Sequence, residues 1–290
     1  MRPTCLKCDS DEISRSKVIR FGLYYRTSDS KWVQRYRCTT CKSSFSSATF
    51  EFFYRHRKRR KHTLLKGLLC SGVSQRRAAR LTRLNPKTVV RKFRLLALES
   101  EFFLRQGNLQ QPKARQIEFD DLETFEHSKC KPVSVTLAVE SRTRRILGLE
   151  VSSMPAKGPL VEKARKKYGP REDQRSEGRR RLFSRIEDLV ERNVIIKSDS
   201  NPHYRSDVEF FFPEAKYKQY EGKRGSLGGQ GELKKVRFDP LFSLNHTCAK
   251  LRADVNRLIR RTWCTTKKRE YLYAHLVLYA DYHNRNLAPC

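Results

Sequence analysis

The chain has 290 residues, 38% hydrophobic and 32% charged, with 16 Phe, 12 Tyr and 2 Trp; this is enough apolar material for one sizeable core plus one or two small modules, and it excludes wholesale disorder. Lys and Arg number 63 against 31 Asp and Glu, a formal +32, so a polyanion is the expected partner, although DNA, RNA and a membrane surface all fit such a total. Residues 1–115 hold 28 basic and 7 acidic side chains, so the front of the chain is its more electrostatic part.

No run of residues approaches the length of a membrane-spanning helix, and the start, MRPTCLKCDSDEIS, has no apolar signal core. The expectation is a soluble cytoplasmic protein, nucleoid-associated if its partner is DNA, with no membrane partner. Nine cysteines fit a reducing compartment, since an odd count without regular spacing argues against a disulfide framework.

In chain order, Cys5 and Cys8 in CLKC, then Cys38 and Cys41 in CTTC, form two Cys-x-x-Cys knuckles. Four soft thiolates in a tetrahedron suit Zn2+. Between them, SKVIRFGLYYRTSDSKWVQRYRC reads as short strands with a turn at TSDS. That is the layout of a zinc ribbon over residues 1–50, in which metal replaces a core too small to fold alone. Four protein thiolates leave no open position for water, so the zinc is expected to be structural.

After the basic run RHRKRRKH, residues 51–98 contain three helix-like pieces separated by SGVS and TRLNP. In SQRRAARL, Ser74 caps the helix, with Ala78 and Leu81 facing inward. In NPKTVVRKFRLL, Asn85 caps, Pro86 occupies the first turn, and Val89, Val90, Phe93 and Leu96 form the apolar stripe. Two short helices joined by about four residues, the second studded with base, match a helix-turn-helix that reads double-stranded DNA, with Lys87, Thr88, Arg91, Lys92 and Arg94 toward the DNA. A plain three-helix bundle with a solvated basic face is the competing reading. Residues 99–115 read as a linker.

From about residue 116, QIEFDDLETF, VSVTLAVES and RILGLEVSS are three strand-like runs, followed by a charged helical region and the strand NVIIKSDS. The fold class expected is α+β multidomain: zinc ribbon, helix-turn-helix, then a ribonuclease H-like mixed sheet with flanking helices over 116–290. In that layout the first and fourth strands are neighbours, so Asp120 and Asp199 meet. Alone, Asp199 in KSDSNPHY reads equally as the start of a turn. Two adjacent carboxylates repel unless they share cations, and Mg2+ or Mn2+ with oxygen ligands is the usual answer. Such ions activate a water or a DNA 3′-hydroxyl for phosphodiester cleavage and strand transfer. A third ligand is expected from the later helix LFSLNHTCAKLRADVNRLIRRTW, where Asn245 offers one neutral oxygen or, alternatively, serves as the N-cap.

With these residues the chain resembles transposases of the insertion sequence 1 family and their relatives. The resemblance is carried by CLKC with RYRCTTC, by GVSQRRAARLTRLNPKTVVR, IEFDDLETF and KSDSNPHY, and by LNHTCAKLRADVNRLIRRTWCTTKKREYLYAHLVLYADYHN. It implies a DNA transposase that binds terminal inverted repeats, catalyses metal-dependent cleavage and strand transfer on element ends and target DNA, and works as a homo-oligomer holding two ends. The family's first two metal-binding acids fall on Asp120 and Asp199. Its third falls on Asn245, a departure, with Asp239, Asp254 and Glu232 as nearby acids. The departure leaves open a silent DNA-binding regulator derived from a transposase.

Overall fold

A computed structural model of the chain describes residues 3–8, 17–221, 239–258 and 264–286; Glu232 lies outside them. The chain divides into two compact units, Met1–Leu65 and Lys66–Cys290.

In the first unit, strands β1 (Val18–Arg26), β2 (Lys31–Cys38) and β3 (Ser44–Ser46) form an antiparallel sheet in that order. The hairpin turns at TSDS, where Asp29 accepts two 2.7 Å bonds from the Arg26 guanidinium. Midway along β1 an extra residue shifts the register, and Gly22 takes φ +73°, which a side chain would resist. The buried cluster is tiny: Cys5, Val18 and Cys38, with Cys8, Tyr36 and Phe45 against it.

Helix α1 (Lys61–Leu69) contains the boundary between the units, and α2 (Gln75–Thr82) and α3 (Pro86–Leu109) follow it. Both expected caps form: Ser74 accepts from the Arg77 N–H and Asn85 from the Lys87 N–H. Residues 99–109, expected to be linker, extend α3 instead. LALESEFFLRQGNL contains no proline and is rich in helix formers, and α3 packs along the C-terminal helix α8 (Arg269–Asn286). Three inward and outward assignments also change. Lys92 is buried, because position 92 falls on the covered stripe of Val89, Phe93 and Leu96. Val90 lies off that stripe and is exposed. Leu81 is exposed too, its expected place taken by Thr82, whose hydroxyl bonds back to the Ala78 carbonyl at 2.7 Å.

The second unit is built on a five-stranded mixed sheet: β4 (Ala114–Phe125), β5 (Pro132–Glu140), β6 (Ile146–Ser153), β7 (Val190–Asp199) and β8 (Lys216–Tyr220), in the order β6-β5-β4-β7-β8. The first three strands are mutually antiparallel, and β7 joins β4, and β8 joins β7, in parallel. Helices α4 (Val161–Tyr168) and α5 (Arg175–Ile186) make the crossover from β6 to β7. Gly178 lets α5 rest directly on β6, since a Cβ there would lie 1.9 Å from Ser152 Oγ. Helix α6 (Tyr204–Phe211) connects β7 to β8, and Phe119, Ile117, Phe183, Ile196, Tyr204 and Val208 are buried together on this face. Because strand side chains alternate, Glu118 and Asp120 point to the opposite face, which helix α7 (Phe242–Asp254) crosses by packing on β4 and β5. No helix of the described residues is long and apolar enough to cross a membrane.

Candidate functional site

Cys5, Cys8, Cys38 and Cys41 come together as the sequence spacing suggests, with their sulfurs within 4.8 Å of one another. Cys5 and Cys41 are 3.5 Å apart, Cys8 and Cys38 3.8 Å. Ser43 Oγ lies 3.0 Å from Cys41 Sγ and 3.4 Å from Cys5 Sγ, and its hydrogen bonding is the main cause that lowers both thiols, Cys41 to about 6. Cys8, hydrogen-bonded to the Cys41 thiol, is pushed up to about 12. Four sulfurs at this spacing can hold a structural zinc ion. Removing it should therefore cost the first unit its fold, given its small apolar cluster. One zinc per chain should be released by a mercurial reagent, and Cys38→Ser should lose both the zinc and the near-ultraviolet circular dichroism of the hairpin aromatics. A zinc-free protein with an unchanged spectrum would contradict this.

The acidic residues meet through strand register. The parallel pairing runs Gln116↔Ile195, Ile117↔Ile196 and Glu118↔Lys197, so two residues further on Asp120 and Asp199 lie on neighbouring strands and the same face. Burial, with the Asp199 charge next, pushes the Asp120 carboxyl up to about 7, against hydrogen bonds to its Oδ1 from the Asp121 N–H at 2.7 Å and the Tyr204 hydroxyl at 3.1 Å. Asp199 is also raised by burial, with the Asp121 charge adding and the Asn201 N–H, 3.2 Å from Oδ1, opposing. That last bond is a turn contact, so Asp199 both begins a turn and stands beside Asp120. Tyr204, a residue the sequence does not single out, is raised by burial and by the charges of Asp121, Asp120 and Asp199, and stays a hydrogen-bond donor.

Asn245 is the fourth residue of α7 and not its N-cap; an Asp239 turn precedes the helix, Oδ1 accepting from the Leu241 N–H at 2.9 Å. Asn245 is exposed, and its Nδ2 donates to Asp239 Oδ2 at 2.8 Å. One turn on, the Cys248 thiol is pushed up to about 12, chiefly by burial, with the Arg252 charge opposing and the Asp120 charge adding. Asp254 is occupied elsewhere, accepting from the Tyr279 hydroxyl at 2.7 Å. Among the described residues, Asp120 Oδ2, Asp199 Oδ2 and Asn245 Oδ1 accept no hydrogen bond. Hard oxygen donors of this kind suit Mg2+ or Mn2+.

On α3, Lys87, Arg91 and Arg94 are exposed and fall four and three residues apart, which aligns them on one side of the helix; Thr88 is half-buried. Arg76, Arg77 and Arg80 are exposed on α2. No protein-family model matches the chain, and no curated protein matches it.

Proposed function

We propose that the protein is a DNA transposase whose ribonuclease H-like sheet carries a divalent-metal site of Asp120, Asp199 and Asn245, and whose helix-turn-helix, α2 and α3, binds terminal inverted repeats. The parallel register of β4 and β7 carries the proposal, because it sets Asp120, midway along β4, beside Asp199, the last residue of β7. The strand order supports it as well: numbered within the sheet the strands run 3-2-1-4-5, the first three antiparallel and the last two joining in parallel. When bound, Mg2+ or Mn2+ would supply Lewis-acid activation of a water or a 3′-hydroxyl and stabilise the leaving oxygen. Asp120, partly protonated near neutral pH in the free protein, gives up that proton as the cation is taken up. Tyr204 holds the Asp120 carboxylate by its Oδ1, leaving Oδ2 toward the ligand. The exposed bases Lys87, Arg91 and Arg94 would contact duplex DNA, and the work of holding two element ends calls for a homo-oligomer.

The test is cleavage and joining, with Mg2+ present, of labelled DNA from the flanks of its gene, where the proposal expects terminal inverted repeats. Asp199→Asn is expected to lose about a hundred- to a thousandfold in strand cleavage, the order that loss of preorganised charge stabilisation produces, while repeat binding without Mg2+ is unchanged. Arg91→Glu with Arg94→Glu should do the reverse, losing binding first. Cleavage by Asp199→Asn at the wild-type rate would exclude the two-carboxylate site; repeat binding by a wild type that never cuts would favour the silent regulator.

A further inference from the structure

Glu118 is a buried carboxylate that the proposed reaction does not use. It is 3% exposed, on β4, two residues before Asp120 and on the same face. A carboxylate out of water costs free energy unless each oxygen finds a donor, and both do. Oε1 accepts from Ser141 Oγ at 2.8 Å, and Oε2 accepts from the backbone N–H of Leu244 at 2.9 Å. Leu244 is in the first turn of α7, where N–H groups have no partner within the helix and the helix dipole favours negative charge.

The register partner of Glu118 on β7 is Lys197, two residues before Asp199. Lys197 Nζ donates to the Pro240 carbonyl at 3.3 Å, just ahead of α7. One cross-strand pair therefore holds the entry to α7 at two points, and the next pair along the same face is Asp120 with Asp199. Immediately outside the two points lie Asp239 and Asn245: Asp239 precedes Pro240, and Asn245 follows Leu244. A third tie, from the Arg142 N–H to Ser243 Oγ at 2.9 Å, fixes the same turn of helix from the β5–β6 connection.

We propose that Glu118 and Lys197 are positioning residues that set α7 so that Asn245, with Asp239 bonded to it, completes a divalent-cation site on Asp120 and Asp199. This rests on the metal-site reading of those two acids. Neither positioning residue touches the cation; they act through the backbone that carries its third ligand.

The experiment is Mn2+ titration of the full, zinc-loaded chain, followed by electron paramagnetic resonance. Glu118→Ala is expected to weaken Mn2+ binding by about 10–100-fold, the range seen when outer groups that orient metal ligands are removed. Glu118→Gln should recover most of it, since its carbonyl can accept from Leu244 while its amide donates to Ser141 Oγ. Asn245→Ala should weaken binding as well, and add little in the Glu118→Ala background, because both changes remove one ligand by different routes. Additive losses, or wild-type affinity in Glu118→Ala, would overturn the assignment. If Glu118→Ala does not fold, Lys197→Met, which leaves both Glu118 bonds in place, takes its position in the same cycle, and additive losses or wild-type affinity there overturn the assignment in the same way. A wild type that binds Mn2+ no more tightly than Asp120→Asn and Asp199→Asn sinks the metal site itself, an outcome distinct from one in which only Glu118 and Lys197 prove indifferent.

Discussion

Asp120→Asn is expected to make the metal-free protein more stable above neutral pH while removing its response to Mg2+. In the folded chain the Asp120 carboxyl is pushed up to about 7 by burial and by the Asp199 charge, whereas in the unfolded chain it titrates near 4, as an ordinary Asp does. The folded state thus holds its proton to higher pH than the unfolded state. The favourable contribution is complete below about pH 4 and is lost as pH rises through about 7. A shift of about three units corresponds to roughly 2–4 kcal/mol by pH 8, after allowance for relaxation of a partly solvated group. Asn carries no charge and escapes this loss. In magnesium-free buffer with the zinc retained, the variant should melt on the order of 5–10 °C higher than wild type at pH 8, and the difference should shrink steadily toward zero as the pH is lowered to about 4. Added Mg2+ should raise the wild-type midpoint at pH 8, because a ligand bound only by the folded state stabilises it, and leave Asp120→Asn unmoved. A variant less stable than wild type at pH 8 would show that the two carboxylates do not crowd each other.

That crowding was open to inference from sequence because it depends on only two things: the alternation of apolar residues in QIEFDDLETF and NVIIKSDS, which marks both as strands, and the order of elements, which makes those strands neighbours. Strand register then does the rest. The same parity links Glu118 to Asp120, but nothing local says that its acceptor role is to hold Leu244, 126 residues later. Tyr204 is hidden for a similar reason, since its hydroxyl reaches Asp120 only once α6 packs under β4 and β7. Lys92 shows the complementary failure. Helical spacing allows it on the basic outer side with Arg91 or on the inner stripe with Val89 and Phe93, and it is buried on the stripe. The continuation of α3 through Leu109 has another origin: an assumed domain boundary at residue 98 invites a linker, while the residues themselves favour helix and find a partner surface on α8.

Asp207→Ala should be the most destabilising single change in the sheet unit, by about 3–5 kcal/mol, because it strands a buried guanidinium. Asp207 and Arg179 are 2% and 3% exposed. Asp207 Oδ2 accepts from Arg179 Nε at 2.7 Å and from its Nη2, and Oδ1 accepts from Arg180 Nε at 2.8 Å. Arg179 in turn donates to the His203 carbonyl at 3.0 Å and lies over the Tyr204 ring, 4.8 Å from its centroid. The ion pair therefore fixes the start of α6 and, through Tyr204, the hydrogen bond to Asp120. Replacing both partners by apolar side chains, Arg179→Met with Asp207→Leu, should cost much less than Asp207→Ala alone, since no unpaired charge remains. Urea denaturation midpoints would separate the two; equal losses would mean that packing and not the stranded charge sets the cost. The link to the site has its own readout. The Tyr204 bond lowers the Asp120 carboxyl, so its loss moves that carboxyl further up, and Tyr204→Phe should shift the pH midpoint of Mg2+ stabilisation upward with a smaller loss of stability than Asp207→Ala. If Asp207→Ala lowers stability while leaving that pH midpoint in place, the ion pair supports the fold without reaching Asp120 through Tyr204.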